Sequence, residues 1–264
     1  MVRVCPLCSS SSGNSIYVSS GRTGILVDAG NTAKQLEILM RENQIDISTI
    51  NAIFVTHEHS DHIKGLRVFA SKYGIKIYAS KGTMECLSEL GVLNGKFTYD
   101  VITPNGIEVN EMHITPFSTS HDSRESVGYV IKTADNRKVA IVTDIGVVSD
   151  TVRSAIQGCD AIVIESNHEV RMLQNGRYPY FLKRRILSDV GHLSNESCAK
   201  ELPNLVRTGT TRFILAHLSI ENNDPRLAYN TSLCSLTQNG MKEDVDFKLY
   251  VAPQINKDGV HVVF

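Results

Sequence analysis

The chain has 264 residues, 42% apolar and 21% charged, which is the make-up of a folded globular protein and leaves little room for extended disorder. A formal net charge of −1 excludes the global basic field that favours nonspecific nucleic-acid binding, so an anionic substrate would have to be held by a local site. No run of about 18 apolar residues occurs, and Met1–Cys5 lacks a basic stretch leading into an apolar one; we expect a cytoplasmic protein that does not engage membranes.

In chain order, Ser15–Ser19 and Gly24–Asp28 flank the turn-like Ser20-Gly21-Arg22-Thr23 and predict a hairpin. Asn31 is placed to cap a helix over Thr32–Arg41, whose Leu36, Leu39 and Met40 share a face. Asn51–Thr56 reads as a short strand that delivers the chain into His57. Helix Lys64–Lys72, strand Ile75–Ala79 and helix Lys81–Leu90 follow, then strand-like stretches at Phe97–Ile102, Ile107–Val109, Met112–Phe117, Val127–Thr133 and Lys138–Thr143. Helix Asp150–Gln157, strand Asp160–Ser166, a charged connection, helix Asn195–Leu202, strand Arg212–Ala216 and helix Pro225–Gln238 complete the pattern. Strands dominate the first part and α/β alternation the rest, so two sheets covered by helices fit better than one parallel sheet. The six cysteines are scattered and expected to be reduced; Cys5-Pro6-Leu7-Cys8 has C-x-x-C spacing, but no second pair completes a structural zinc site.

His57, His59, Asp61 and His62 fall within six residues as H-x-H-x-D-H. Such nitrogen and oxygen donors suit Zn²⁺ or Mn²⁺, with Fe a further option, and a loop leaving a strand can turn His57 and His59 to one ion and Asp61 and His62 to another. Two such ions can activate a water between them at neutral pH. A dinuclear centre needs further ligands, and three candidates stand at predicted strand ends: His121, Asp144 and His217.

The ordered set H-x-H-x-D-H, His121, Thr143-Asp144-Ile145-Gly146 and His217 resembles the metallo-β-lactamase superfamily across nearly the whole chain. The resemblance implies an α/β fold, an αββα four-layer sandwich forming a single hydrolase domain over 1–264. It also implies His57, His59 and His121 on one metal, Asp61, His62 and His217 on a second, and Asp144 bridging them. The large RNA-processing relatives carry a cap that would fall between Asp144 and His217, where this chain has core-like strands and helices, so no cap insertion is expected. Nor does the chain have the long Gly/Pro-rich arm with which tRNA 3′-processing relatives grip tRNA.

Closer similarity is to the YycJ/WalJ family. It rests on Ser10-Ser11-Ser12-Gly13-Asn14-Ser15, Ile164-Glu165-Ser166-Asn167-His168, Gly191-His192-Leu193-Ser194-Asn195 and His217-Leu218-Ser219 followed by Glu221-Asn222-Asn223. Those proteins are regarded as DNA-directed nucleases, and 5′-to-3′ exonuclease activity is what the resemblance implies. Cys8 and Ser9 depart from the smaller residue and glycine-rich turn expected there. In related nuclease branches a glutamate–histidine pair supplies the proton to the departing oxygen. By that analogy Glu165 orients His192 and stabilises its imidazolium; otherwise His192 caps the helix before Asn195. Asp61 is a further candidate for orienting the nucleophile.

Between these motifs lie Arg171, Arg177, Lys183, Arg184 and Arg185, interleaved with Tyr178, Tyr180 and Phe181. The segment reads either as a solvated charged loop or as a surface on which Lys183, Arg184 and Arg185 hold phosphates and the aromatics stack a base. His113 and His261 read as structural, and His168 as a residue behind the ligands. The leading expectation is a dinuclear phosphodiesterase acting on DNA. Its alternatives are an RNA-directed nuclease, a thioester or lactone hydrolase of the same fold, and a metal-bound sensor without turnover.

Overall fold

The computed structural model describes residues 1–264, and the chain divides into two compact units. The first comprises Met1–Pro116, Ser123–Asn136 and Pro253–Phe264. Its sheet starts as an antiparallel meander of β1 (Val2–Ser10), β2 (Gly13–Ser20) and β3 (Thr23–Val27). Ser20 pairs with Thr23, so Gly21-Arg22 is the two-residue turn of the expected hairpin. Three parallel strands extend it: β4 (Ile50–Val55), β5 (Lys76–Ala79) and β6 (Tyr99–Val101). A short strand, β14 (Val262–Val263), in the strand-like run that holds His261, closes the other edge against β1.

Helices α1 (Ala33–Glu42), α3 (Leu66–Tyr73) and α4 (Lys81–Glu89) supply the crossovers; α3 answers to the helix expected over Lys64–Lys72, and an unanticipated single turn, α2 (Ser60–Ile63), precedes it. Their apolar faces, Leu36, Leu39 and Met40 on α1 and Leu66, Phe69 and Ala70 on α3, share one core with Leu7, Leu26, Ile53, Val55 and Ile77 of the sheet. The cap of α1 is Thr32 rather than Asn31: Thr32 Oγ1 accepts the Gln35 N–H, while Asn31 Oδ1 accepts the N–H of Thr32 itself. β7 (Ile107–Val109), β8 (Met112–Ser118) and β9 (Val127–Thr133) neighbour one another, and the Tyr129 hydroxyl on β9 donates to the Val55 carbonyl at 2.6 Å. His113 faces Glu108 across β7 and β8, with Nδ1 2.8 Å from Glu108 Oε1. Cys5 and Cys8 are buried within β1, and burial pushes their thiols up to about 11 and about 12, the setting of inert cysteines.

The second unit comprises Phe117–Asp122 and Arg137–Ala252. Four parallel strands, β10 (Lys138–Val142), β11 (Ala161–Glu165), β12 (Arg212–Ala216) and the unanticipated β13 (Lys248–Val251), are joined by α5 (Asp150–Ile156), α8 (Asn195–Arg207) and α9 (Pro225–Gln238). The segment read as a charged connection contains two short helices, α6 (Val170–Asn175) and α7 (Tyr180–Ile186). α8 was expected over Asn195–Leu202, and the next residue is a proline, which lacks the N–H that continues a helix. The helix runs through Pro203 instead. The carbonyl that Pro203 leaves unserved, that of Ala199, accepts the Ser235 hydroxyl of α9 at 2.7 Å, so no buried acceptor is orphaned.

Candidate active site

In both units the strand ends set the positions of the polar residues. In the first, β3 ends at Val27 and places Asp28 just beyond it; β4 ends at Val55 and is followed by Thr56, His57 and His59, with Asp61 and His62 in α2. The histidine run is therefore brought together as expected, with His57 ring centroids 4.5 Å from His59 and 4.1 Å from His62. Asp28 escaped the sequence reading. Its buried carboxylate accepts His62 Nδ1 at 2.7 Å, the Thr56 N–H at 2.8 Å and the Thr56 hydroxyl at 2.8 Å. Burial pushes the Asp28 carboxyl up, with His62 and then the Thr56 bonds opposing. The Thr56 oxygen in turn accepts from His57 Nδ1 at 3.0 Å.

In the second unit β10 leads to Asp144, β11 ends on Glu165 and β12 leads directly to His217. Asp144 Oδ1 lies 3.7 Å from His121 Nε2, 3.5 Å from His217 Nδ1 and 3.8 Å from His192 Nδ1. Asp144, Glu165, His192 and His217 form one group whose candidate ligand atoms lie within 4.8 Å of one another. Glu165, fully buried, serves four donors: Oε1 accepts His192 Nδ1 at 2.8 Å and His217 Nδ1 at 2.7 Å, and Oε2 accepts the N–H groups of Ile145 at 2.8 Å and Leu193 at 3.1 Å. Burial alone would raise this carboxyl, but the charges and N–H groups of His192 and His217 outweigh it and hold Glu165 well below the usual carboxylate range. The helix-capping alternative for His192 is superseded, because the α8 cap is Ser194, whose hydroxyl accepts the Ser197 N–H.

A common rule governs the imidazoles. His57, His62, His121 and His217 each have Nδ1 against an oxygen, supplied by Thr56, Asp28, the Gly191 carbonyl at 3.0 Å and Glu165 respectively. A proton fixed on Nδ1 leaves the Nε2 lone pair as the donor, which is how metal-ligating histidines are oriented and made more basic. The donor set thus fits a divalent metal. His192 has its Nδ1 held the same way and keeps 13% of its side chain exposed, which leaves Nε2 as the atom that can carry a proton outward.

The basic segment divides. The Lys183 ammonium donates to the Gln174 carbonyl at 2.8 Å, and the Arg184 guanidinium lies 6.0 Å from the ring centroid of Tyr180, which is 76% exposed beside Phe181 at 74%. Arg185, expected on a phosphate, instead holds the Asp122 carboxylate through two nitrogens. Asp122 follows His121, its N–H donates to the Val190 carbonyl, and the Ser120 hydroxyl donates to the Asp189 carbonyl, so Arg185 helps fix the loop that carries His121. His168 is buried with neither ring nitrogen hydrogen-bonded, and burial lowers it to about 4; it lies in none of the candidate ligand groups. No helix is long and apolar enough to cross a membrane.

Comparison with known proteins accounts for this arrangement. A family model described as a beta-lactamase superfamily domain matches residues 23–218. The chain is 44% identical over 228 residues to the exodeoxyribonuclease YycJ of Bacillus anthracis, covering 84% of each protein. It is 37% identical over 247 residues to the exodeoxyribonuclease WalJ of Streptococcus pneumoniae, covering 92% of this chain and 91% of that one. The crystal structure of the metallo-β-lactamase fold protein YhfI from Bacillus subtilis matches with a TM-score of 0.72 at 16% identity, over 97% of this chain and 98% of that chain, which gives the αββα fold class expected from the sequence. The chain belongs to the beta-lactamase superfamily and, within it, to the YycJ/WalJ family, and is a metal-dependent hydrolase.

Proposed function

We propose that the two units, residues 1–264, act as one dinuclear phosphodiesterase domain that degrades DNA as a 5′-to-3′ exonuclease in the cytoplasm. The observation that carries this reading is the double use of Glu165, which holds a candidate ligand, His217, and a candidate proton donor, His192, through the same oxygen. A thioester or lactone hydrolase would have little use for a histidine so placed. The names of the two relatives, both exodeoxyribonucleases, favour DNA. We assign His57, His59 and His121 to one ion, Asp61, His62 and His217 to a second, and Asp144 to both, with Zn²⁺ or Mn²⁺ as the metal and Fe as a further option. Bound ions of this kind supply an activated water and neutralise charge developing on phosphorus. Asp61 orients the nucleophile. His192, held by Glu165 at Nδ1, passes the proton on Nε2 to the departing oxygen. Lys183 and Arg184 with exposed Tyr180 and Phe181 offer cations and ring faces to a strand, while Arg185 acts through Asp122.

Metal-replete protein assayed on 5′- and 3′-labelled single- and double-stranded DNA and RNA tests this reading. We expect DNA to be shortened from its 5′ end. Exclusive RNA cleavage would move the substrate assignment, and thioester or lactone turnover with no nucleic-acid cleavage would overturn it.

A further inference from the structure

The run Ser10-Ser11-Ser12-Gly13-Asn14-Ser15 has no part in the assignments above. In the first unit Asn14 is buried, and both ends of its amide are fixed: Oδ1 accepts the Ser10 N–H at 3.2 Å and Nδ2 donates to the Ser10 carbonyl at 2.9 Å. A main-chain N–H can only donate and a carbonyl can only accept, so the oxygen and nitrogen of this amide are identified by their partners. One of the two Nδ2 hydrogens is thereby used. The other is aimed between Asp61 Oδ2, at 3.2 Å, and His62 Nε2, at 3.1 Å. Since His62 carries its proton on Nδ1, toward Asp28, its Nε2 is an acceptor like the carboxylate. One N–H thus faces two acceptors.

Main-chain packing keeps these groups in place. The Gly30 N–H donates to the Asn14 carbonyl at 2.8 Å, and a Cβ on Gly30 would come within 1.6 Å of the Asp61 carbonyl oxygen, so only glycine lets the three backbones meet. The separation of Asn14 and Asp61 is therefore set by the chain and not by flexible side chains.

We infer that Asn14 is a positioning residue for Asp61. It rests on the reading of Asp61 and His62 as metal ligands. When a metal takes His62 Nε2, the N–H of Asn14 is left to Asp61 alone; it fixes one carboxylate oxygen and with it the direction of the other. The amide selects the Asp61 conformation that serves the metal.

The test is a double-mutant cycle on metal affinity in the full chain, with Co²⁺ or Zn²⁺ titrated against a chromophoric chelator. Asp61→Ala should weaken binding. Asn14→Ala should weaken it about tenfold or more, the range lost with a residue that orients a ligand. In the Asp61→Ala background, removing Asn14 should cost nothing further, because the carboxylate it orients is gone. Unchanged affinity in Asp61→Ala would sink the ligand reading and the inference with it. If Asp61→Ala weakens binding while Asn14→Ala either has no effect or keeps its full effect in both backgrounds, Asn14 only supports its loop and the inference is wrong. Should Asn14→Ala fail to fold, Asn14→Ser takes its place in the cycle, being polar and small but one atom too short to reach Asp61.

Discussion

Replacing Glu165 with glutamine exchanges one oxygen for nitrogen and should move two protons. The side chain sits between two kinds of partner. On one side are the N–H groups of Ile145 and Leu193, which can only donate; on the other are His192 Nδ1 and His217 Nδ1, which can donate or accept according to tautomer. The glutamine carbonyl must therefore remain with the two backbone groups, because its NH₂ there would oppose two donors in a buried site. Its NH₂ then faces both imidazoles, which can accept only by carrying their protons on Nε2. His217 loses the lone pair needed for a metal, and His192 loses the carboxylate that stabilises its charged form. Each charge-assisted hydrogen bond is worth about 1.5–3 kcal/mol, so its loss at His217 corresponds to metal binding weaker by roughly one to two orders of magnitude. Chelator competition measures the affinity, and long-range ¹H–¹⁵N correlation spectra of the imidazoles report the tautomers directly. Nδ1–H signals for both histidines in the variant, with metal affinity unchanged, would refute this reasoning.

Three further outcomes follow from the same geometry. His192→Ala should keep its metal and slow turnover by about 10²–10⁴-fold, with a substrate bearing a good leaving group largely rescued; equal loss on good and poor leaving groups would make His192 a positioning residue. Neutralising Lys183 and Arg184 together should lower the slope of log affinity for single-stranded DNA against log salt by about 0.7 for each phosphate that is no longer neutralised; an unchanged slope would remove α7 from the substrate path. His168 is buried and its folded-state value is lowered from 6.5 to about 4, so its contribution to stability is fully present above pH 6.5 and is lost as pH falls toward 4, by about 3 kcal/mol at most. Urea unfolding of His168→Leu between pH 4.5 and 7.5 should show a flatter pH dependence than the parent; identical curves would contradict the assignment.

The legible parts of the site were those carried by local spacing. H-x-H-x-D-H announces itself within six residues, and the strand-end positions of His121, Asp144 and His217 could be inferred from the apolar runs before them. Asp28 had the same kind of address, after the apolar Ile25–Val27, but a lone carboxylate there has no partner nearby in sequence; its role appears only when His62 arrives 34 residues later. Asn14 and Arg185 stand out in the sequence as part of a motif and as charge, and their bonds to Asp61 and Asp122 come from tertiary folding. α6 and α7 are six and seven residues long, too short to show an apolar period or to be stable apart from their packing. The extension of α8 past Leu202 has a different cause: Pro203 leaves one carbonyl unserved, and Ser235, from the neighbouring helix α9, serves it.

Asp28, Asp144 and His217 share one more property. All three have left-handed backbones, with φ of 63°, 57° and 55°, at the residues where strands release the chain toward the polar groups. Non-glycine residues in that region cost on the order of 1 kcal/mol or more each. The cost sits at the positions that orient or provide the candidate ligands, and glycine there would remove it only by stranding buried partners: without Asp28, for example, His62 Nδ1 and both donors of Thr56 lose their acceptor, at about 1–3 kcal/mol each. The strained backbone and the hydrogen-bond network therefore hold each other in place, and a screen that rewarded only heat resistance would gain nothing by loosening either one alone.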